Sequence, residues 1–164
     1  MWYNKDYGND LSFGADYGAY VPCDETGLAK PSDKMVDVLT WAFYRGFLNS
    51  INTMDINSMQ YSTTANTSRC SQEISGYLDY TYDLNNFVAV SDPTSIQYNE
   101  ADGTVLYNGH FVSYHSDRGT NANPENADVH CTLRLVWQDG MWKVDAFMRL
   151  DDDAFNAGQY AAMP

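Results

Sequence analysis

The strongest constraint on what this chain can fold into is a two-residue alternation from Asp128 to Leu150. Val129, Cys131, Leu133, Leu135 and Trp137 alternate with Asp128, His130, Thr132 and Arg134. Gln138-Asp139-Gly140-Met141 reads as a tight turn. After it, Trp142, Val144, Ala146, Met148 and Leu150 alternate with Lys143, Asp145 and Arg149. Successive side chains of a strand point to opposite faces, so each run presents one apolar and one largely polar face. This is the pattern of an antiparallel sheet packed on helices on one side and wet on the other.

Upstream, the period is that of a helix. Pro31-Ser32-Asp33 offers a start, because Ser32 or Asp33 can accept hydrogen bonds from the first free backbone amides. Met35, Leu39, Ala42, Phe43, Phe47 and Ile51 follow at spacings of three and four, forming one apolar stripe on a helix of about 18 residues. Gly46 weakens that helix or lets another element come close. Asn52-Thr53-Met54-Asp55 breaks the pattern, and Asp55 can cap a short second helix containing Ile56 and Met59. The polar stretch from Tyr61 to Ser71 reads as a loop. A third helix is expected from about Ser71 to Tyr82, with Ile74, Tyr77 and Leu78 toward the core.

From Asn86 the period falls to two. Phe87 to Val90 read as a strand that Pro93 interrupts, Ser95 to Asn99 as the next, and Glu100-Ala101-Asp102-Gly103 as a turn. Val105 to His115 form a long strand, and Ser116 to Ala127 a polar loop. Residues 1–32 carry Gly8, Gly14, Gly18, Gly27, Pro22 and Pro31 and hold no period. They read as an irregular N-terminal arm or linker, with a short strand near Ala19 to Val21. Residues 151–164 open on Asp151-Asp152-Asp153 and read as an acidic tail or short helix.

A chain of 164 residues is expected to form one domain. A domain of this size removes roughly 70% of its unfolded surface from water and needs no metal or disulfide to fold. Its 22 acidic residues against 9 basic ones give a formal charge of −13. That field repels phosphate backbones and anionic membranes, so nucleic acid is excluded as an expected partner. The 13 Tyr residues suit a half-wet sheet face or a binding cleft, because the ring packs while the hydroxyl reaches a partner. No apolar run approaches the roughly 20 residues that span a bilayer, and Met1-Trp2-Tyr3-Asn4 does not resemble a signal peptide. Abundant Tyr, Asn, Asp, Ser and Thr nevertheless match an exported bacterial domain, so an extracellular or cell-surface location is expected. Cys23, Cys70 and Cys131 form no Cys-x-x-Cys pair, which disfavours a zinc knuckle. At most one internal disulfide is open to them, with three pairings. Cys131, between Val129 and Leu133, reads as a small buried hydrophobe.

Two segments carry a family resemblance. Phe47-Leu48-Asn49-Ser50-Ile51-Asn52-Thr53-Met54-Asp55-Ile56 resembles a first-helix end that leads to an Asp starting a second helix. Leu135-Val136-Trp137-Gln138-Asp139-Gly140-Met141-Trp142-Lys143-Val144-Asp145-Ala146-Phe147 resembles a final hairpin whose Gly turn is followed by Trp-Lys-Val or Trp-Lys-Ile. Both features resemble the nuclear transport factor 2-like superfamily, the cystatin-like α+β cone shared with SnoaL-like proteins and ketosteroid isomerase. The likeness covers residues 33–150. It implies an α+β domain in which about three N-terminal helices pack on a strongly curved, mixed or antiparallel, cone-shaped sheet of four to six strands. Within the superfamily the chain is similar to extracellular domains of Gram-positive membrane-anchored proteins that carry an N-terminal zinc ribbon, although it contains no ribbon itself.

Two functions of different class are expected: the acidic surface, the Tyr excess and the lack of a mappable catalytic set point to the first, and the resemblance implies the second. One is a non-catalytic ligand- or protein-binding domain, taking a small molecule, a cell-wall fragment or a protein. The other is a small-molecule pocket enzyme of the SnoaL or isomerase type, which needs a buried carboxylate base opposite a Tyr hydroxyl. No catalytic residue of the family maps onto this chain, since Asp55 is better explained as a helix cap. The candidate ligand-binding residues are Trp41, Tyr44, Tyr77, His110, Tyr114, Arg134, Asp145 and Arg149. Arg134 and Arg149 are expected on polar faces of adjacent strands, where they either form a cationic spot for a carboxylate or pair with Asp128, Asp145 or Glu side chains across the sheet. His110 and His115 differ by five and point to opposite faces of one strand, with His130 beside one of them if the strands pair. No metal and no cofactor are expected. A Gly-x-Ser-x-Gly elbow and a phosphate-binding glycine loop are both absent from the sequence. A weak homodimer through the outer sheet face is expected, opposed by the net charge and strengthened by salt.

Overall fold

The computed structural model describes residues 2–3, 33–77, 79–139, 141–159 and 163. The rest of the N-terminal arm, with the strand expected near Ala19 to Val21 and Cys23, the Ser32 cap, Leu78, Gly140 and the end of the tail lie outside them, as do the side chains of Met35 and of residues 88–95. Strand β1 (Trp2–Tyr3) is followed by α1 (Asp33–Thr53), α2 (Thr64–Ile74), β2 (Tyr80–Tyr82), β3 (Val88–Asn99), β4 (Thr104–Asp117), β5 (Glu125–Gln138), β6 (Met141–Leu150) and α3 (Asp152–Asn156). The fold is α+β, with a strongly curled antiparallel half-barrel sheet. Five strands run in the order β1-β3-β4-β5-β6, and β2 pairs with the far end of β4.

Two α-helices precede the main sheet, where about three were expected. Asp55 does act as a cap, accepting from the Asn57 amide at 2.9 Å, but what it starts is a single 3-10 turn, Ile56–Ser58. The remaining helix, α2, begins seven residues earlier than expected, with Thr63 as its N-cap accepting from the Asn66 amide. Its sequence looks like a loop because only Asn66, Cys70 and Ile74, one narrow row at intervals of four, are buried. Tyr80–Tyr82, expected to end that helix, instead form β2 against Ser116 and its neighbours.

Pro93 does not divide β3. The strand runs from Val88 to Asn99, and its register slips between Ser91 and Ile96. Five steps along β3 there match two along β4, which gives the proline a site without a ladder partner. The slip lies opposite Tyr107 and Gly109. The Tyr107 ring covers Gly109 so closely that a β-carbon there would sit 2.3 Å from it. The loop after β4 is shorter than the sequence suggests, because β4 extends to Asp117 and β5 starts at Glu125. In the β5–β6 hairpin, Asp139 takes a φ of 56°, the left-handed conformation that a two-residue turn demands. Asp151 caps α3 by accepting from the Ala154 amide at 2.7 Å.

The core lies between α1 and the concave face of the sheet. In β4 burial alternates strictly, with Val105, Tyr107 and Phe111 facing inward. Along α1 burial extends beyond the expected stripe. Val36 through Trp41 are all buried, as are Phe43, Tyr44, Phe47, Leu48 and Ile51. Tyr44, Phe87 and Phe111 stack nearly parallel, with centroids 4.6 to 5.7 Å apart, so the space between helix and sheet is filled by rings. Cys70 and Cys131 are free thiols, both fully buried. Cys131 therefore packs as the apolar residue its position implied. No helix among the described residues is long and apolar enough to cross a membrane.

Two contacts fix α1 against its neighbours. At Gly46 the chain following the 3-10 turn crosses the helix, and a β-carbon there would lie 2.7 Å from the Ser58 carbonyl oxygen. At the C-terminus no basic residue occupies the last turn, so the orphan carbonyls need a partner from elsewhere. Arg118, from the loop after β4, donates to the carbonyls of Ile51 at 2.7 Å, Asn52 at 2.9 Å and Tyr80 at 2.8 Å. Beside it Asn52 exchanges two hydrogen bonds with the Tyr82 backbone.

Gly46→Ala gains about 1 kcal/mol of helix propensity but presses a methyl against a backbone carbonyl, at a cost of about 1–3 kcal/mol. Urea unfolding should show a net loss of stability; a gain would mean that the crossing segment yields freely. Arg118→Ala leaves three carbonyls without their cation and should cost about 1–3 kcal/mol, with Arg118→Lys recovering only part.

Candidate functional site

The geometry of the site starts from one extra residue in β6. Arg134 pairs with Ala146 and Leu135 with Val144, which leaves Asp145 as a bulge. A one-residue slip sends all later side chains to the other face. Before the bulge Trp142 and Val144 point into the core, and after it Phe147 and Arg149 take the inward positions, opposite Leu133 and Cys131. The alternation read from the sequence placed Met148 and Leu150 inward and Arg149 outward; the bulge reverses this. Arg134 and Arg149 therefore lie on opposite faces and do not form one cationic spot.

Arg149 reaches into the aromatic core. Its guanidinium lies over the Tyr77 ring at 4.4 Å and the Phe47 ring at 5.3 Å, in cation–π contact. One N–H approaches the Tyr44 hydroxyl at 3.4 Å. Among the described residues no carboxylate lies within 4.0 Å of it. Burial drives the Tyr44 phenol well above its ordinary range, with the neighbouring Cys131 adding to this and Arg149 opposing it. The hydroxyl therefore stays neutral and hydrogen-bonds to Cys131. Burial, then Glu73, also pushes the Cys70 thiol up to about 12. Burial raises the Cys131 thiol as well, so both thiols are protonated and unreactive at neutral pH.

Arg149 opens outward into a cleft of about 320 Å³ between α2 and β6. Asn66, Arg69, Glu73 and Tyr77 line one wall, and Phe147, Met148 and Arg149 the other. Asn66 is 1% exposed, and its Oδ1 has no hydrogen-bond partner. The neighbouring bonds fix the orientation of this amide. Ser62 donates its one hydroxyl proton to the Thr63 carbonyl, so it accepts from Asn66 Nδ2 at 3.0 Å and from the Thr67 hydroxyl. The oxygen of Asn66 is therefore the free end.

The bulge also ties α2 to the sheet. Asp145 accepts from the Thr63 hydroxyl at 3.0 Å and from Arg134 at 2.9 Å, and Arg69 donates to its backbone carbonyl. The chain at Tyr61–Thr63 pairs with Val144 and covers that point of the β6 edge. Burial pushes the Asp145 carboxyl upward, but the hydrogen bonds from Arg134 and Thr63 and the charges of Arg134 and Arg69 outweigh it and hold it below its ordinary value.

Of the expected ligand residues, the structure brings Tyr44, Tyr77 and Arg149 together. Trp41 lies deeper, fully buried, 5.7 Å from Phe87. His110 and Tyr114 are on the outer face of β4. There His110 sits directly across from His130, with ring centroids 4.4 Å apart, and its Nε2 lies 2.8 Å from Asp128. His115 points inward, against Tyr80 at 4.6 Å. No group of three or more His, Cys, Asp or Glu placed to hold a metal occurs among the described residues. Sequence reasoning missed Arg69 and Asn66, because the segment carrying them reads as a loop. It also missed Asp37, the only acidic side chain buried among the described residues, because an Asp within a helix reads as solvent-facing.

A comparison with protein families finds no match, and comparisons with curated proteins and with solved structures find none either.

Because the folded pKa of Asp145 is depressed, its contribution to stability is present above the unfolded value near 3.8 and is lost as pH falls through the lower folded value. Asp145→Ala should cost about 1–3 kcal/mol at neutral pH and flatten the acid limb of a stability-against-pH curve below about pH 4. An unchanged acid limb would show that Asp145 does not anchor α2.

Proposed function

We propose that this chain is a non-catalytic ligand-binding domain of an exported or cell-surface bacterial protein, built on a nuclear transport factor 2-like cone, and that the cleft between α2 and β6 takes a carboxylate. The observation that carries this reading is Arg149: a cation in a chain of formal charge −13, held by two ring faces and a neutral hydroxyl, with no carboxylate of its own among the described residues. Balancing a partly buried guanidinium with an anion yields a strong, charge-assisted hydrogen bond. Arg69 adds a second donor to the same cleft, and the Tyr77 ring supplies an apolar wall. The ligand's carrier is a small molecule, a wall fragment or a protein terminus.

The pocket-enzyme alternative needs a buried carboxylate and an open cavity facing a Tyr hydroxyl. Asp37 supplies the first, which is the observation in its favour. The stacked rings of Tyr44, Phe87 and Phe111 occupy the space it would use, and the Tyr44 hydroxyl faces Arg149 and Cys131 instead. These observations favour binding at the α2–β6 cleft.

Titration with simple monocarboxylates, propionate and benzoate, followed by NMR of arginine Nε–H groups, should give saturable shifts at Arg149. Arg149→Met should abolish them or weaken affinity by about tenfold or more, the range for losing a charged hydrogen bond. Shifts that never saturate, or that persist in Arg149→Met, would remove the carboxylate site.

A further inference from the structure

The same cleft carries an acceptor as well as its cations, and this narrows the ligand. Asn66 Oδ1 is buried and has no partner among the described residues, although a polar atom shut away from water ordinarily finds one. The Asn66 residue belongs to the wall opposite Arg149. Glu73, one turn beyond Arg69 on α2, sits at the exposed rim with a second acceptor. A lone carboxylate uses the guanidinium donors and leaves both acceptors idle. The arrangement fits a ligand whose carboxylate is followed at short range by an N–H, with a small apolar group between them to meet Phe147 and Tyr77. At about 320 Å³ the cleft is at the small end of ligand pockets, which run from roughly 300 to 1,000 Å³. It has room for the last residue or two of a chain and not for a folded surface.

We infer that the cleft recognises the free C-terminal end of a peptide, with the terminal carboxylate on Arg149 and Arg69 and the N–H of the last peptide bond on Asn66 Oδ1. This rests on the carboxylate-binding reading above and adds a requirement that reading lacks. An N–H donor satisfies the acceptor, whereas an ester oxygen at the same place meets it with another lone pair. Two sources offer this chemistry: the C-terminus of a protein, built from L-residues, and the stem of a wall peptide, which ends in D-residues.

The test uses the full chain and small probes. Acetyl-alanyl-alanine, in its L,L and D,D forms, is compared by calorimetry or NMR titration with its C-terminal amide, which lacks the carboxylate. It is also compared with the ester analogue acetyl-alanyl-lactate, which keeps the carboxylate and lacks the N–H. The acid of one stereochemistry should bind at least about tenfold more tightly than its ester analogue, the amide should not bind measurably, and the preferred hand should identify the source. In Asn66→Leu the acid and the ester should bind alike. Because the ester comparison is made on the unaltered chain, the result stands even if that variant folds poorly. Equal binding of acid and ester to the unaltered chain would overturn the peptide-end assignment and leave the carboxylate reading intact, as would propionate binding with no peptide binding. If no carboxylate of any kind bound, both would fall.

Discussion

The bulge at Asp145 is the constraint on which the rest of the molecule depends. A strand's inward and outward faces are set by counting, and one inserted residue changes the count for everything after it. Upstream of it, β6 contributes Trp142 and Val144 to the core; downstream it contributes Phe147 and Arg149. Phe147 then meets Phe43 and Phe47 edge-on at 5.2 and 5.0 Å, which locks the last turn of the sheet onto α1. Arg149 is carried into a position that an isolated cation would not take in a low-dielectric core, and ring faces make that position tolerable.

The same residue organises the other wall of the cleft. Its carboxylate holds Thr63, and Thr63 starts α2. A negative charge at a helix start is favourable for the helix dipole, so the bulge both places α2 and stabilises it. Since α2 buries only a narrow row, these contacts and the backbone pairing of Tyr61–Thr63 with Val144 hold it in place. The cleft exists because α2 stands against β6 at this distance, and the distance is set by the Thr63–Asp145 and Arg69–Asp145 contacts rather than by a large apolar interface.

At the far end of α1, Arg118 does comparable work for the fold. Helix C-termini usually find a cation or a glycine cap close by in sequence. Here the cation comes from a loop 66 residues further on, and it joins the α1 end, β2 and the β4–β5 connection at one point. A packed aromatic centre, a bulge at one end and an arginine clamp at the other together account for the curled sheet holding α1 so fully that positions on several sides of the helix are buried.

Much of this was legible in the sequence. The alternation of β5, the long strand β4, the hairpin at Asp139, the Asp55 cap, the burial of Cys131 and the opposed directions of His110 and His115 follow from local periodicity and turn chemistry. Local rules suffice there because each feature depends on neighbours within a few residues. The reversal after Asp145, the start of α2 at Thr64 and the capping of α1 by Arg118 were not legible. A bulge leaves no mark in composition, a helix with one narrow buried row looks like a loop, and a cap from a distant loop has no spacing to read. The α+β class and the sheet were therefore determined by the sequence itself. Only the tertiary structure decided which arginine faces inward, and hence that the cationic cleft is built from Arg149 and Arg69 rather than from Arg149 and Arg134, because register and helix docking are fixed by contacts between segments far apart in the chain.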